Sequence, residues 1–158
     1  MNLITPNNIN EYIKDLPTYF YNMCPAHQAD IVRVYVIYEY GYIWLDSDTL
    51  VLDKLDSLFY YIEKNNGFFI KQNNQILWNG IFGSKNNTPL MIKWKNDIIK
   101  ILDEKNQKIE WDEIGNILIQ NIYNNYIILN GLDNLYPINW DNCVNEFIKN
   151  LIIIIKIL

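Results

Sequence analysis

An α/β domain is what this sequence predicts, and three observations carry the expectation. Segments with apolar residues at helical spacing alternate with short aromatic or β-branched runs. Asn, Gly and Pro punctuate the junctions between them. The chain is 158 residues long and 50% hydrophobic, enough to bury the core of one domain. Residues 1–150 are expected to form that domain, with 151–158 as an apolar tail of open placement.

A first helix is expected from Pro6 to Phe20, where Ile9, Tyr12, Ile13 and Leu16 recur at helical spacing. A second opens at Pro25 and stops at Gly41, with Ile31, Val34, Tyr35 and Tyr38 on its apolar side. YIWL reads as a strand, interrupted by DSD and resumed by TLVL before Asp53. DSLFYYIEKNN reads as a short helix ending in a turn at Asn65-Asn66-Gly67. GFFIK and ILWNGIFGS read as paired, buried strands. Thr88-Pro89 opens a helix through Lys105, carrying Leu90, Trp94, Ile98 and Ile101 along one side. Asp112 caps a helix to Tyr123, and YIILN is a further strand. YPINW is extended, Asn142–Asn150 is a last short helix, and LIIIIKIL has strand-type residues.

Composition narrows the partners. Thirteen basic against eighteen acidic residues leave a formal charge of −5, so the overall field attracts neither nucleic acid nor anionic lipid. A polyanionic ligand has to be held locally, by one positive group or a metal ion. Cys24 and Cys143 read as free, partly buried thiols of a reducing, cytoplasmic-type compartment. The start MNLITPNN has no signal-peptide character, and the apolar run Leu151–Ile155 is far short of the roughly 20 residues of a membrane span. Ile and Asn dominate, so rare residues are informative: the chain has a single Arg and a single His.

The chemistry concentrates in ADIVRVYVIYEYGYIWLDSDTLVL. Asp46 and Asp48 follow an apolar strand two residues apart, so extended backbone would point both carboxylates to one side. Paired carboxylates suit a hard cation such as Mg²⁺ or Mn²⁺, which commonly retains a phosphate. The same tripeptide also reads as a solvated turn. Asp30 and Arg33 are neighbours on the second helix, and the guanidinium is suited to phosphate or sugar oxygens. A plain surface ion pair is the other reading of those two.

Asp-x-x-Arg on a helix, a glycine turn, an aromatic-rich strand and Asp-x-Asp, in this order, resemble the glycosyltransferases with a DXD-containing sugar-binding region. Mannosyl-type and capsular-polysaccharide relatives belong to that group, as do the clostridial toxin glucosyltransferases at longer range. The similarity is clearest over residues 26–59 and extends more weakly through NGIFGSKNNTPLM, WDEIG and YPINW.

The resemblance implies a GT-A-type, Rossmann-like nucleotide-sugar-binding domain. It also implies a metal-dependent transfer of sugar from a nucleoside-diphosphate-sugar to a glycan, protein or lipid acceptor, with retention at the anomeric carbon and Mn²⁺ or Mg²⁺ as cofactor. Carried over residue by residue, Asp48 is the direct metal ligand. Asp46 serves the donor ribose or sugar and the metal shell, while Asp30 and Arg33 hydrogen-bond the donor sugar and diphosphate. Gly41 makes the turn before the strand. Trp44 lines the donor pocket or is a core residue. Asn79, Gly80 and Glu113 are acceptor-side candidates, also readable as a turn and a first-turn helix carboxylate. His27 receives no role.

The sequence departs from the family pattern in two ways. The usual Gly-Gly is Gly41-Tyr42, which strains Tyr42 if that position needs φ > 0. The family's N-terminal base-binding strand and helix are not evident, so the donor pocket is expected to be incomplete at the N-terminus and, with the abrupt LIIIIKIL, at the C-terminus. A catalytically inactive relative that binds sugar-nucleotide or glycan is the alternative. A haloacid-dehalogenase-like phosphatase is disfavoured, because LDSDTL lacks that family's Gly-Thr and an Asp-x-x-Arg helix has no place there.

Overall fold

Thr5 and Asn8 decide how short the first helix is. The Thr5 backbone N–H donates to Asn8 Oδ1 at 2.6 Å, a local side-chain bond that competes with helix. Helix α1 then covers only Ile9–Tyr12, and Ile13 is already extended. Pro17 disfavours helical backbone at Leu16, so the expected helix to Phe20 is replaced by a loop and a tight turn, Phe20–Asn22. The computed structural model describes residues 4–47, 49, 51, 54–71, 77–105, 108–122 and 127–130, the last four by backbone only.

From there the expected elements follow in order. Helix α2, Pro25–Tyr40, starts on a proline and stops at Gly41 (φ 74°). Strand β1 is Tyr42–Leu45 and helix α3 is Asp56–Asn65, closed by Asn66 in the left-handed region. Strands β2, Gly67–Lys71, and β3, Leu77–Ser84, precede helix α4, Pro89–Glu104, whose Thr88 hydroxyl caps the Met91 N–H. The expected continuous helix from Asp112 is instead a wide turn, Glu113–Ile117, leading into α5, Leu118–Ile122. Gly115 breaks it (φ −97°, ψ −110°), and the Ile117 N–H reaches five residues back to the Asp112 carbonyl. Strand β4 is Ile127–Asn130.

The strands form one mixed sheet in the order β1-β3-β2-β4. β3 runs antiparallel to both β1 and β2, and β2 pairs in parallel with β4. A mixed α/β domain is therefore present. Among the described residues one strand pair is parallel, so the doubly wound, Rossmann-like part of the expectation is not displayed. Sequence periodicity fixes which face a residue takes but not strand direction.

Alternation in β2 divides the core. Phe69, with Phe82 of β3, joins Ile31, Val34, Trp94, Ile98 and Ile114 under α2, α4 and α5. Phe68 and Ile70 point to the other cluster, with Ile62 of α3 and Ile81. Helices thus cover both faces of the sheet, which protects the strand β1 end where the chemistry-bearing residues emerge. Lys95 of α4 is buried, paired with Asp15 and lying over the Tyr35 and Tyr38 rings at 4.8 and 4.2 Å. It ties α4 to α2.

Two further expectations change. The partly buried Cys24 thiol is exposed. Thr49 and Val51, the described residues of the TLVL expected to resume the strand, are not in one. The Thr49 N–H donates to the Asp46 carbonyl at 2.9 Å. Asp48 itself, Cys143, YPINW, the Asn142–Asn150 helix and the 151–158 tail lie outside the described residues.

Tyr42 does adopt a positive φ, 79°, directly after Gly41. A bulky residue there is strained by roughly 1 kcal/mol. Tyr42→Gly is expected to raise the thermal midpoint by a few degrees, since the side chain is exposed and little packing is lost. An unchanged or lower midpoint in a thermal melt would show that the turn is not strained.

Candidate functional site

Helix α2, β1, β3 and the Glu113–Ile117 turn meet at one guanidinium. Arg33 is 7% exposed and Asp30 8%, both on the side of α2 that faces β3. Arg33 Nε donates to the Ala29 carbonyl at 3.3 Å, and Nη1 donates to the Asn79 carbonyl at 3.0 Å. Nη2 lies between two carboxylates, 3.5 Å from Asp30 Oδ1 and 3.4 Å from Asp46 Oδ1. The fork is therefore filled largely by the protein's own oxygens. It braces the acidic groups from below.

Trp44 stands two residues before Asp46 on the same side of β1, and the short strand aims its indole at the carboxylate. Trp44 Nε1 donates to Asp46 Oδ1 at 2.7 Å, while the Arg33 guanidinium lies 5.6 Å from the Trp44 ring centre. Both contacts take the same oxygen. Among the described residues Oδ2 is left unengaged, on the side of Gly80, where an added Cβ would come within 2.7 Å of it. Gly80 thus keeps the second carboxylate oxygen clear.

Asp30 is held from the opposite direction. Asn79 Nδ2 donates to Asp30 Oδ1 at 2.9 Å, and the Asn79 N–H donates to Asn116 Oδ1 at 2.8 Å. Gly115 lets its backbone close in: a Cβ there would collide with Asn79 Nδ2 and sit 3.1 Å from Asp30 Oδ1. Asn79 was expected on the acceptor side, and the structure places it in the Arg33 cluster. Gly115 and Asn116 were not singled out. Their signal was present in a glycine inside a helical pattern, which marks a close backbone approach.

Glu113 is not brought into the cluster. Its carboxylate pairs with Lys105 and accepts the Glu110 N–H at 3.0 Å. The Lys105 hydrogen bond, then the Glu110 backbone bond, hold it below the usual carboxylate range. Gly41 makes the α2–β1 turn as expected, with a Cβ excluded by Asn86 N at 2.9 Å. Asp48 lies outside the described residues.

Burial raises the Asp30 carboxyl above its ordinary value of 3.8, against the opposing pull of Arg33 and Asn79. A raised native value gives stability that is complete below the unfolded value and is lost as pH climbs through the native one. Asp30→Asn removes that ionisation. Its thermal midpoint relative to wild type should therefore rise between pH 3.5 and 7.5, and a flat difference across that range would contradict the burial argument.

A divalent cation is a fair test of this geometry. Asp46 Oδ2 is a hard oxygen donor on the Gly80 side of a carboxylate that stays partly exposed. Among the described residues no group of three or more His, Cys, Asp or Glu converges as a complete metal cage. A cation here would need Asp48 and ligand oxygens as well. Among the same residues no helix is long and apolar enough to cross a membrane.

Residues 1–143 match the family described as capsular polysaccharide synthesis protein. The chain belongs to that family. The family match spans α1 to β4 and so includes every member of the Arg33 cluster. An uncharacterized protein of Arabidopsis thaliana is 34% identical over 61 residues, covering 32% of this chain and 10% of that relative. This chain thus corresponds to a small part of the relative's length. No solved structure matches.

Proposed function

We propose that the chain is the donor-binding part of a metal-dependent glycosyltransferase, which moves a sugar from a nucleoside-diphosphate-sugar in glycan synthesis. The observation that carries this is Asp46: one carboxylate oxygen is fixed by Trp44 and Arg33 while the other is kept clear by Gly80. A carboxylate oriented in this way, at the end of a strand and two residues before a second Asp in sequence, is preorganised to meet a cation-bound diphosphate.

Asp46 and Asp48 would hold the cation, Mn²⁺ or Mg²⁺, together with donor phosphate oxygens. When bound, the cation supplies charge neutralisation for the nucleoside diphosphate as the sugar leaves. Arg33 keeps Asp46 and Asp30 from repelling one another, and so holds the donor-facing surface in one shape. Asp30, with one oxygen on Asn79, presents its remaining acceptor capacity to sugar hydroxyls. The GT-A architecture and retention of anomeric configuration belong to this reading.

Calorimetric titration with a panel of nucleoside-diphosphate-sugars, with and without Mn²⁺, tests it beside an assay for donor hydrolysis. Metal-dependent binding that Asp48→Ala abolishes, with hydrolysis, supports the transferase. Binding without turnover would mark an inactive sugar-nucleotide-binding relative. No metal-dependent binding to any donor would remove the proposal.

A further inference from the structure

Among the described residues Trp111 is the largest apolar side chain left in water, 69% exposed and outside both hydrophobic clusters. It sits in the segment leading into the Glu113–Ile117 turn, between the exposed acids Glu110 and Asp112. Its indole lies beside the chain's single imidazole, with the Trp111 and His27 ring centres 6.3 Å apart and tilted by 50°. Among the described residues His27 Nε2 is shielded from water and has no hydrogen-bond partner. A buried polar nitrogen without a partner is unfavourable and calls for an explanation.

Position supplies one. His27, Asp30 and Arg33 follow at intervals of three along α2, so the imidazole is one turn from the buried carboxylate. The axial span from His27 to Arg33 is roughly 9 Å. From the other side, Gly115 of the same turn backs onto Asp30. Trp111 and His27 therefore stand beside the Arg33 cluster, one helical turn from Asp30.

We propose that Trp111 and His27 form the acceptor subsite, and that the acceptor is a glycan presenting a pyranose ring. An exposed indole offers a flat apolar plate to the C–H face of a sugar ring. The flanking carboxylates of Glu110 and Asp112 accept hydrogen bonds from its hydroxyls, and a modest displacement of the indole gives a hydroxyl access to His27 Nε2. The acidic neighbours disfavour an anionic lipid surface. This inference rests on the glycosyltransferase reading and names the acceptor class for it.

The test uses the ¹⁵N-labelled full chain, whose five Trp indoles give separable resonances, assigned by single Trp→Phe variants. Methyl β-D-glucopyranoside and methyl α-D-mannopyranoside are the probes. Sorbitol, a polyol without a ring face, is the control. At least one pyranoside should shift the Trp111 indole and His27 imidazole signals together while sorbitol leaves them in place. Trp111→Ala should weaken the pyranoside-induced His27 shift about tenfold in apparent affinity. Silence of both signals, or an equal response to sorbitol, overturns the subsite.

The donor reading has its own reporter in the same spectra. The Trp44 indole, bonded to Asp46, should broaden with paramagnetic Mn²⁺ and UDP-glucose. A Trp44 response with a silent Trp111 overturns the acceptor subsite alone. A Trp111 response with Trp44 unaffected by a panel of Mn²⁺–nucleotide-sugars overturns the donor reading and leaves a glycan-binding face.

Discussion

Arg33→Ala should cost the fold about 3 kcal/mol at neutral pH, lowering the thermal midpoint by roughly 10 °C. The guanidinium is the only cation within ion-pair distance of Asp30 and Asp46 among the described residues, and it also satisfies the Asn79 carbonyl. Its removal leaves a buried carboxylate facing a second one, with a main-chain oxygen unpaired. The buried Asp30 carboxyl, already raised, would then be pushed further upward, so the damage should shrink as pH falls and it takes a proton. Urea unfolding at pH 7 and pH 4 measures this. Adding Asp30→Asn to the variant should recover part of the loss at pH 7 and little at pH 4. Arg33→Lys keeps the charge but loses the fork, so it should keep more stability than Arg33→Ala while failing to hold Asp46 in place. A destabilisation equal at both pH values would mean that packing, not charge, is what Arg33 contributes.

The second large effect concerns Asp46. Asp46→Asn is close to isosteric, leaves an oxygen for Trp44 Nε1 and removes the anionic donor beside Gly80. Under the proposed function it should reduce metal-dependent donor binding by about a hundredfold or more while the melting curve stays near that of wild type. Trp44→Phe provides the graded partner to that experiment. It keeps an aromatic ring over Arg33 but removes the N–H that fixes Oδ1. An outer-shell bond of this kind is worth roughly tenfold in metal affinity, so Trp44→Phe should fall between wild type and Asp46→Asn. Calorimetry with Mn²⁺ and a nucleoside-diphosphate-sugar separates the three proteins. If Trp44→Phe matched wild type, the indole would be a wall of the site and no more than that.

Arg33 shows how far residue chemistry can be read before coordinates. Its rarity in a Lys-using chain marked it as functional, and it is the centre of the cluster. Its partners within the protein were not readable: its three nitrogens meet Ala29, Asn79, Asp30 and Asp46, so within the fold it organises the protein's own acids. Trp44 shows the same limit. Its position two before Asp46 placed both on one side of a strand, but whether the indole was wall, core or hydrogen-bond donor depended on a rotamer. Tyr42 was legible to the level of backbone strain, because a glycine-turn pattern with one glycine replaced has a definite steric consequence.

Periodicity, caps and punctuation by themselves determined α2, α3, α4 and the strands β1 to β4, since each depends on local spacing. The helix-Asp-x-x-Arg, turn, strand and Asp order was equally local, and it determined the Arg33 cluster's first members. Only the tertiary structure decided the antiparallel pairing of β1 with β3, because backbone hydrogen bonds do not record partner or direction in side-chain sequence. It also decided that Asn79, Gly115 and Asn116 close the cluster and that Glu113 turns to Lys105 instead. Contacts spanning tens of residues are set by how helices pack on a sheet, and no local pattern carries that information.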